Sequence, residues 1–323
     1  KSKSIHDGAY GVTLGNSFDI GDGFQAGFLA TYNYDRSTRS SNKIERSFRA
    51  PNEEFTDEDK TVRNMSITAT ANLGVRWKDD HEISSKNIFI RNTDDEVSIS
   101  NIYNSTSPLS SGQGSRNWDY RFEQRELEVY QFTGTHTLGY DTREQFGLGD
   151  TMFDEFIIEW YYSDSTATTD IPSETNIKGN ITQNNGNVES SRLINSSSLM
   201  DIRFTELDDE VESSGIEFTW PISLKNWEVE LSAGSEHDRK VRTYKQLDLA
   251  LGTSTATEAV TQTLNQDIAS ALSDHNILNA DFDYTLTYRS GLSRSYLAAA
   301  TTDAAFGEID VKWNQTWRFV LGA

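Results

Sequence analysis

Residues 64–77, NMSITATANLGVRW, place an apolar side chain at every second position. Met65, Ile67, Ala69, Ala71, Leu73, Val75 and Trp77 share one face, and Asn64, Ser66, Thr68, Thr70, Asn72, Gly74 and Arg76 share the other. Period two is the signature of a β-strand with two unlike faces. A strand in a soluble sheet usually has about five or six residues, ~17–20 Å. A strand of about fourteen residues at ~3.4 Å each, tilted about 40°, rises roughly 35 Å, more than the ~25 Å lipid-facing band of an outer-membrane barrel. An alternation this long predicts lipid on one side and water on the other.

The pattern recurs. Phe24, Ala26, Phe28, Ala30, Tyr32 and Tyr34 alternate with mostly polar neighbours, as do Trp227, Val229, Leu231 and Ala233, and Ile309, Val311 and Trp313. The count is about ten strands. Those within 82–100 and 118–140 alternate less cleanly, and their faces stay open. Short, turn-rich links are expected near 19–23, 79–81, 141–151, 221–226 and 314–316, and long polar loops near 37–61, 101–117, 163–200 and 247–300. Short links alternating with long ones match the periplasmic turns and extracellular loops of an up-and-down transmembrane barrel. Trp220 with Trp227 and Trp313 with Trp317 flank short turns, where an interfacial aromatic girdle belongs.

Composition fits without deciding. Only 35% of the chain is hydrophobic, far from the roughly 20-residue apolar run of a membrane helix, while a barrel strand shows lipid only half its residues. Fifty acidic against 29 basic residues give a net charge of −21, which argues against nucleic acid as a partner. Without cysteine there is neither a disulfide framework nor a thiolate metal site. The seven-residue final strand, WRFVLGA, ends on Gly322-Ala323 rather than on an aromatic residue, and predicts an interior piece of a larger barrel.

Several segments resemble TonB-dependent outer-membrane receptors: HEISSKNIFIRNTDDEV (81–97), RELEVYQFTGTHTLG (125–139) followed by 154–177, 203–222, 228–244, and the hairpin AAFGEIDVKWNQTWRFVLGA (304–323). The resemblance covers most of the chain. It implies a twenty-two-stranded barrel around an N-terminal plug, energised by the inner-membrane TonB complex, in the bacterial outer membrane. Neither plug nor TonB box is visible in these residues.

Chemical motifs are scarce, and no catalytic, cofactor-binding or metal-ligating residue is assigned. The five histidines (His6, His81, His136, His237, His275) lack HExxH spacing, GLGDTM (147–152) fails the dinucleotide fingerprint at its last glycine, and no GxSxG elbow or Walker loop occurs. Asp208, Asp209 and Glu210 read as a solvated bend at a strand top rather than a catalytic pair or calcium site, and the acidic runs 52–60 and 91–96 as loop or near-loop segments. In 255–274, Thr255 and Glu258 suggest a capping box, and Val260, Leu264, Ile268 and Leu272 recur every four residues. That predicts one helix of about four turns, either folded on its own loop or roofing the barrel mouth over a ligand or partner protein.

The expectation is therefore an all-β transmembrane barrel segment that takes up a scarce nutrient (a metal chelate, sugar or peptide) through extracellular loops and upper lumen, without catalysis and without a cofactor. Its partners would be the outer-membrane bilayer, the nutrient, the TonB complex through the plug, and a surface protein at the loops. The alternatives are a complete smaller barrel, adhesin or protease-like, and a soluble cell-surface β protein.

Overall fold

The computed structural model describes residues 7–149, 154–253, 255, 257–292, 294–314 and 316–323. The strands are β1 (Gly8–Gly21), β2 (Phe24–Arg46), β3 (Phe55–Trp77), β4 (His81–Tyr103), β5 (Gln113–Thr137), β6 (Ile157–Asn184), β7 (Asn187–Leu193), β8 (Met200–Leu224), β9 (Trp227–Gly252), β10 (Thr285–Tyr288), β11 (Arg294–Trp313) and β12 (Trp317–Gly322). All join one antiparallel sheet in the order β1-β2-β3-β4-β5-β6-β8-β9-β11-β12, with β7 added to β6 and β10 to β9. Ten strands therefore form the up-and-down path, and β1 and β12 lie at opposite, unpaired edges. The sheet is not closed.

Turn chemistry sets the hairpins. Asp22-Gly23 and Asn185-Gly186 have positive φ at both residues (52° and 81°, 51° and 84°), the two-residue turn whose twist matches paired strands. At the end of the sheet holding Asp22-Gly23, the other links are 78–80, 225–226, 314–316, and one stretch carrying the helix α1 (Tyr140–Phe146), which periodicity did not suggest. The opposite end holds the remaining connections. There the strands run far into segments expected to be loops: β2 and β3 stay paired out to Arg46 and Phe55, and β6 continues for 28 residues. The 91–96 run and 55–60 of the 52–60 run are strand, not loop. Asp208–Glu210 form no bend but lie mid-strand in β8, opposite Thr168–Thr166 of β6. β6 carries a bulge between Ile171 and Glu174, where Pro172 interrupts the ladder.

The register settles the faces. Val75, Leu73, Ala71 and Ala69 lie beside Ala26, Phe28, Ala30 and Tyr32 on one flank and Ile83, Ser85, Asn87 and Phe89 on the other. The same face continues through Phe132, Tyr162 and Ile216 to Leu231, Ile309 and Leu321. It is an exposed apolar band crossing all ten strands, with Leu73 58%, Ile83 48% and Phe319 60% exposed. Rings edge it: Phe24, Trp77, His81, His136 and Trp160 follow one another at centroid spacings of 5.2–6.4 Å near the short turns, and Tyr10 stacks on Tyr34 at 5.1 Å on the far rim. The opposite face is mostly polar, as in the Thr31–Thr70 hydroxyl pair at 2.8 Å, with Ile88, Ile90, Leu127 and Val129 forming an apolar patch on it.

The band crosses the strands obliquely. On this face the first charged residues beyond it are Arg36 (β2), Arg91 (β4), Glu128 (β5), Asp164 (β6), Glu212 (β8) and Asp303 (β11). The register line through Arg36 reaches Ser295 on β11, whereas the band's limit there is Asp303. That is a drop of about eight residues over about seven steps, so at ~3.3 Å per residue and ~4.8 Å per strand the band is inclined roughly 40° from the perpendicular to the strands.

Residues 257–284 fold as three short helices, α2 (Glu258–Leu264), α3 (Ile268–Ala271) and α4 (Asp274–Ile277), rather than one of four turns. The cap of α2 is Thr257, whose hydroxyl accepts from the Val260 amide at 3.3 Å, not Thr255. Asp267 caps a new start at Ile268, accepting from the Ser270 amide at 3.0 Å, which breaks the run. The four-residue spacing did find the inward face. Val260 and Leu264 are buried with Leu193, Leu199 and Ala271 against Trp118 and Ile177, and Ile268 and Leu272 pack on them. Trp118 and Ile177 belong to the apolar face, so the cluster clasps that face beyond the band and does not roof the polar one.

Candidate ligand-facing wall

Beyond the band, the polar face carries charged side chains on five neighbouring strands. Asp119, Arg121, Glu123 and Arg125 of β5 alternate in sign along one face, flanked by Glu96 and Ser98 of β4 and by Glu174, Asn176 and Lys178 of β6. Asp201 and Arg203 of β8 and Asp248 of β9 complete the wall. A groove of about 330 Å³ on this wall is lined by the carboxylates of Glu58, Glu96, Asp119, Glu174, Asp201 and Asp248 and by the guanidinium groups of Arg121 and Arg203.

The groups hold one another rigidly. Arg203 Nε donates to Asp248 Oδ1 at 2.9 Å, with Glu174 3.8 Å from the same guanidinium, and Gln246 donates to the other Asp248 oxygen at 2.6 Å. Glu123, 6% exposed, accepts from Arg121 at 2.7 Å and Arg125 at 2.5 Å. Asp119 accepts from Asn176 at 2.5 Å and from the buried Ser98 hydroxyl at 3.4 Å. Lys178 and Arg289 grip Asp201 at 2.5 and 2.7 Å. A carboxylate held this way needs little reordering to receive a hydroxyl or cation, because its partners are already fixed.

Two further contacts tie down the connections at this end of the sheet. Glu53 accepts from the Ser110 amide at 2.8 Å, and that amide and the Ser110 hydroxyl hold its carboxyl below the usual glutamate range. In the helix cluster, Tyr284 donates to the Ala271 carbonyl at 2.9 Å, and burial pushes its hydroxyl pKa up.

The residues weighed from sequence lie elsewhere. Asp209 faces the polar side and is clasped by Arg242 through bonds of 2.6 and 2.5 Å, while Asp208 and Glu210 point to the apolar face. His81 and His136 meet across β4 and β5 with their Nδ1 atoms 3.1 Å apart, in the aromatic row near the turns, and His237 pairs with Asp303 at 2.6 Å. His275 sits in α4, and His6 falls outside the described residues. Gly147 closes α1 with φ 66°, while 150–152 of the GLGDTM stretch are not described. Among the described residues no group of three or more His, Asp or Glu is arranged to hold a metal ion, and no helix is long and apolar enough to cross a membrane. The latter says nothing of crossing by strands. No family model matches the chain, and neither the curated proteins nor the solved structures contain a match.

Proposed function

We propose that this sheet is part of the wall of an outer-membrane β-barrel, with the apolar face in lipid and the polar face toward the lumen, in a receptor that takes up a scarce nutrient by TonB-coupled transport. The observation that carries the membrane reading is the oblique band. A lipid layer is flat, so strands tilted about 35–45° must trade apolar for charged residues progressively earlier along the sheet, and the roughly 40° inclination found here lies in that range. A soluble sandwich would cover this face with a second sheet instead. The TonB-coupled part rests on the segment resemblances alone.

The open edges fit a larger barrel better than a complete ten-stranded one, in which β1 and β12 would pair with each other. In hydrocarbon an unpaired strand edge is untenable, so both edges need further strands. The groove on the lumen face is the site we assign to the nutrient. Its excess of carboxylates favours a neutral or cationic, hydroxyl-bearing ligand over a strongly anionic chelate. The test is growth of a deletion strain with iron chelates, oligosaccharides or peptides as limiting nutrient. Complementation by the wild type, its loss with Asp119→Ala together with Asn176→Ala, and its loss with a protonophore are the expected results. Full complementation by the double variant would remove the groove from the uptake route.

A further inference from the structure

Beyond β4, the first charges where the apolar band ends are the acids Glu128, Asp164, Glu212 and Asp303 on β5, β6, β8 and β11, with Arg239 of β9 facing Glu212. On β2–β4 they are arginines. Arg36 lies directly across from Met65, Arg63 two residues along β3, and Arg91 diagonally across on β4, so three guanidinium groups encircle one methionine at the edge of the band. Three arginines of the polar face are tightly paired: Arg242 with Asp209, Arg318 with Asp310 and Arg203 with Asp248 lie at 2.5, 2.5 and 2.9 Å. Here the pairing is loose. Arg63 stands 3.5 Å from Asp95 and Arg91 3.7 Å from Glu126, and Arg36 has no carboxylate within 4 Å among the described residues.

The Nε atoms of Arg36 and Arg63 are buried and bond to nothing. A desolvated guanidinium N–H without an acceptor is costly, and its fork geometry suits a phosphate oxygen. Below the cluster, Tyr34, Ile67 and Phe89 offer apolar surface continuous with the band.

We infer that Arg36, Arg63 and Arg91 form a site for one phosphorylated lipid, its phosphate among the guanidinium groups and its acyl chains along Tyr34, Ile67 and Phe89. The inference rests on the membrane reading above. Headgroup and chains bind together, so a soluble phosphate has half the attachment and competes poorly.

The test uses the full-length chain extracted from membranes in a neutral detergent, with bound lipid counted by native mass spectrometry after adding dimyristoyl phosphatidic acid or dimyristoyl phosphatidylcholine. We expect phosphatidic acid to be retained at least tenfold over phosphatidylcholine, and that preference to vanish in Arg36→Gln/Arg63→Gln/Arg91→Gln. It should persist in Arg239→Gln, which removes a cation of the same face facing Glu212. Heat-modifiable migration reports whether the triple variant folds. Should it not, Arg36→Gln alone, which breaks no ion pair, should lower retention severalfold. Equal retention by wild type and a folded variant overturns the inference, as does displacement of the lipid by millimolar inorganic phosphate, which marks a soluble-anion site. A chain monodisperse in buffer without detergent overturns the membrane reading itself, and this inference with it.

Discussion

Ala71 and Thr70 are neighbours in one strand with opposite surroundings. Ala71 stands midway along the apolar alternation of β3, between Ala30 and Asn87, and Thr70 bonds Thr31 on the polar face. With the apolar face in lipid, arginine at mid-depth costs about 2–4 kcal/mol, and in the lumen little. Ala71→Arg should therefore abolish heat-modifiable migration and Thr70→Arg preserve it; equal sensitivity of the two would speak against lipid on the apolar face. Gly134 makes a second residue-scale point. A Cβ there would stand 2.3 Å from the Trp160 ring, which covers this glycine and donates to His136 at 3.1 Å. Gly134→Val should push the indole off His136 and shift its fluorescence, with folding retained. Such close approaches are invisible in sequence, because nothing in a single strand tells which ring lies across from it. The wall residues were more accessible: the alternating signs of Asp119, Arg121, Glu123 and Arg125 mark one face of a strand as an ion ladder. They escaped notice because that stretch also carries large side chains on the other face, at Trp118, Tyr120 and Phe122.

At the level of elements, long alternations were legible and their ends were not. Within the apolar band, apolar and polar residues separate cleanly; beyond it both faces carry polar side chains, and strand and loop share a composition. That is why β2, β3 and β6 outrun their expected limits. The faces of β4 and β5 were obscured for another reason. Ile88, Ile90, Leu127 and Val129 place apolar groups on the polar face, giving continuous hydrophobic runs with no readable period. The helix cluster shows competition between signals: apolar spacing favoured one helix, and Asp267 and Ser273, seated at the starts of α3 and α4, restarted it. Truncating its fully buried Leu199 to alanine should cost about 2–5 kcal/mol locally, seen as faster proteolysis within 257–284 while the strand ladders keep their amide protection. The contact between 47–54 and 104–112 depends on pH instead. Glu53 has a lowered pKa, so its contribution is complete above the ordinary glutamate value of about 4.3 and disappears as pH falls through the lower folded value. Amide exchange at Ser110, relative to its intrinsic rate, should rise in that acid window and stay flat in Glu53→Gln.

For the whole molecule, the decisive property is that the long connections among the described residues leave one end of the sheet, where the tight Asn185-Gly186 turn also lies, while the other end holds short links and the stretch carrying α1. The chain has no native cysteine, so topology can be read without background. Ser105→Cys should react with an impermeant maleimide on intact cells, and Asn226→Cys only after the outer membrane is breached; labelling of Asn226→Cys on intact cells would invert the orientation. The overshoot of the strands beyond the band carries a consequence of its own. On the proposed placement in the membrane, what stands above the bilayer is a hydrogen-bonded parapet rather than a fringe of loose loops. Cell-surface shaving with a broad protease should accordingly release few peptides from 24–46, 55–77 or 157–184, despite their polarity, and cut first in the narrow gaps between them. An arriving solute would meet a surface whose ordering cost was met when the chain folded.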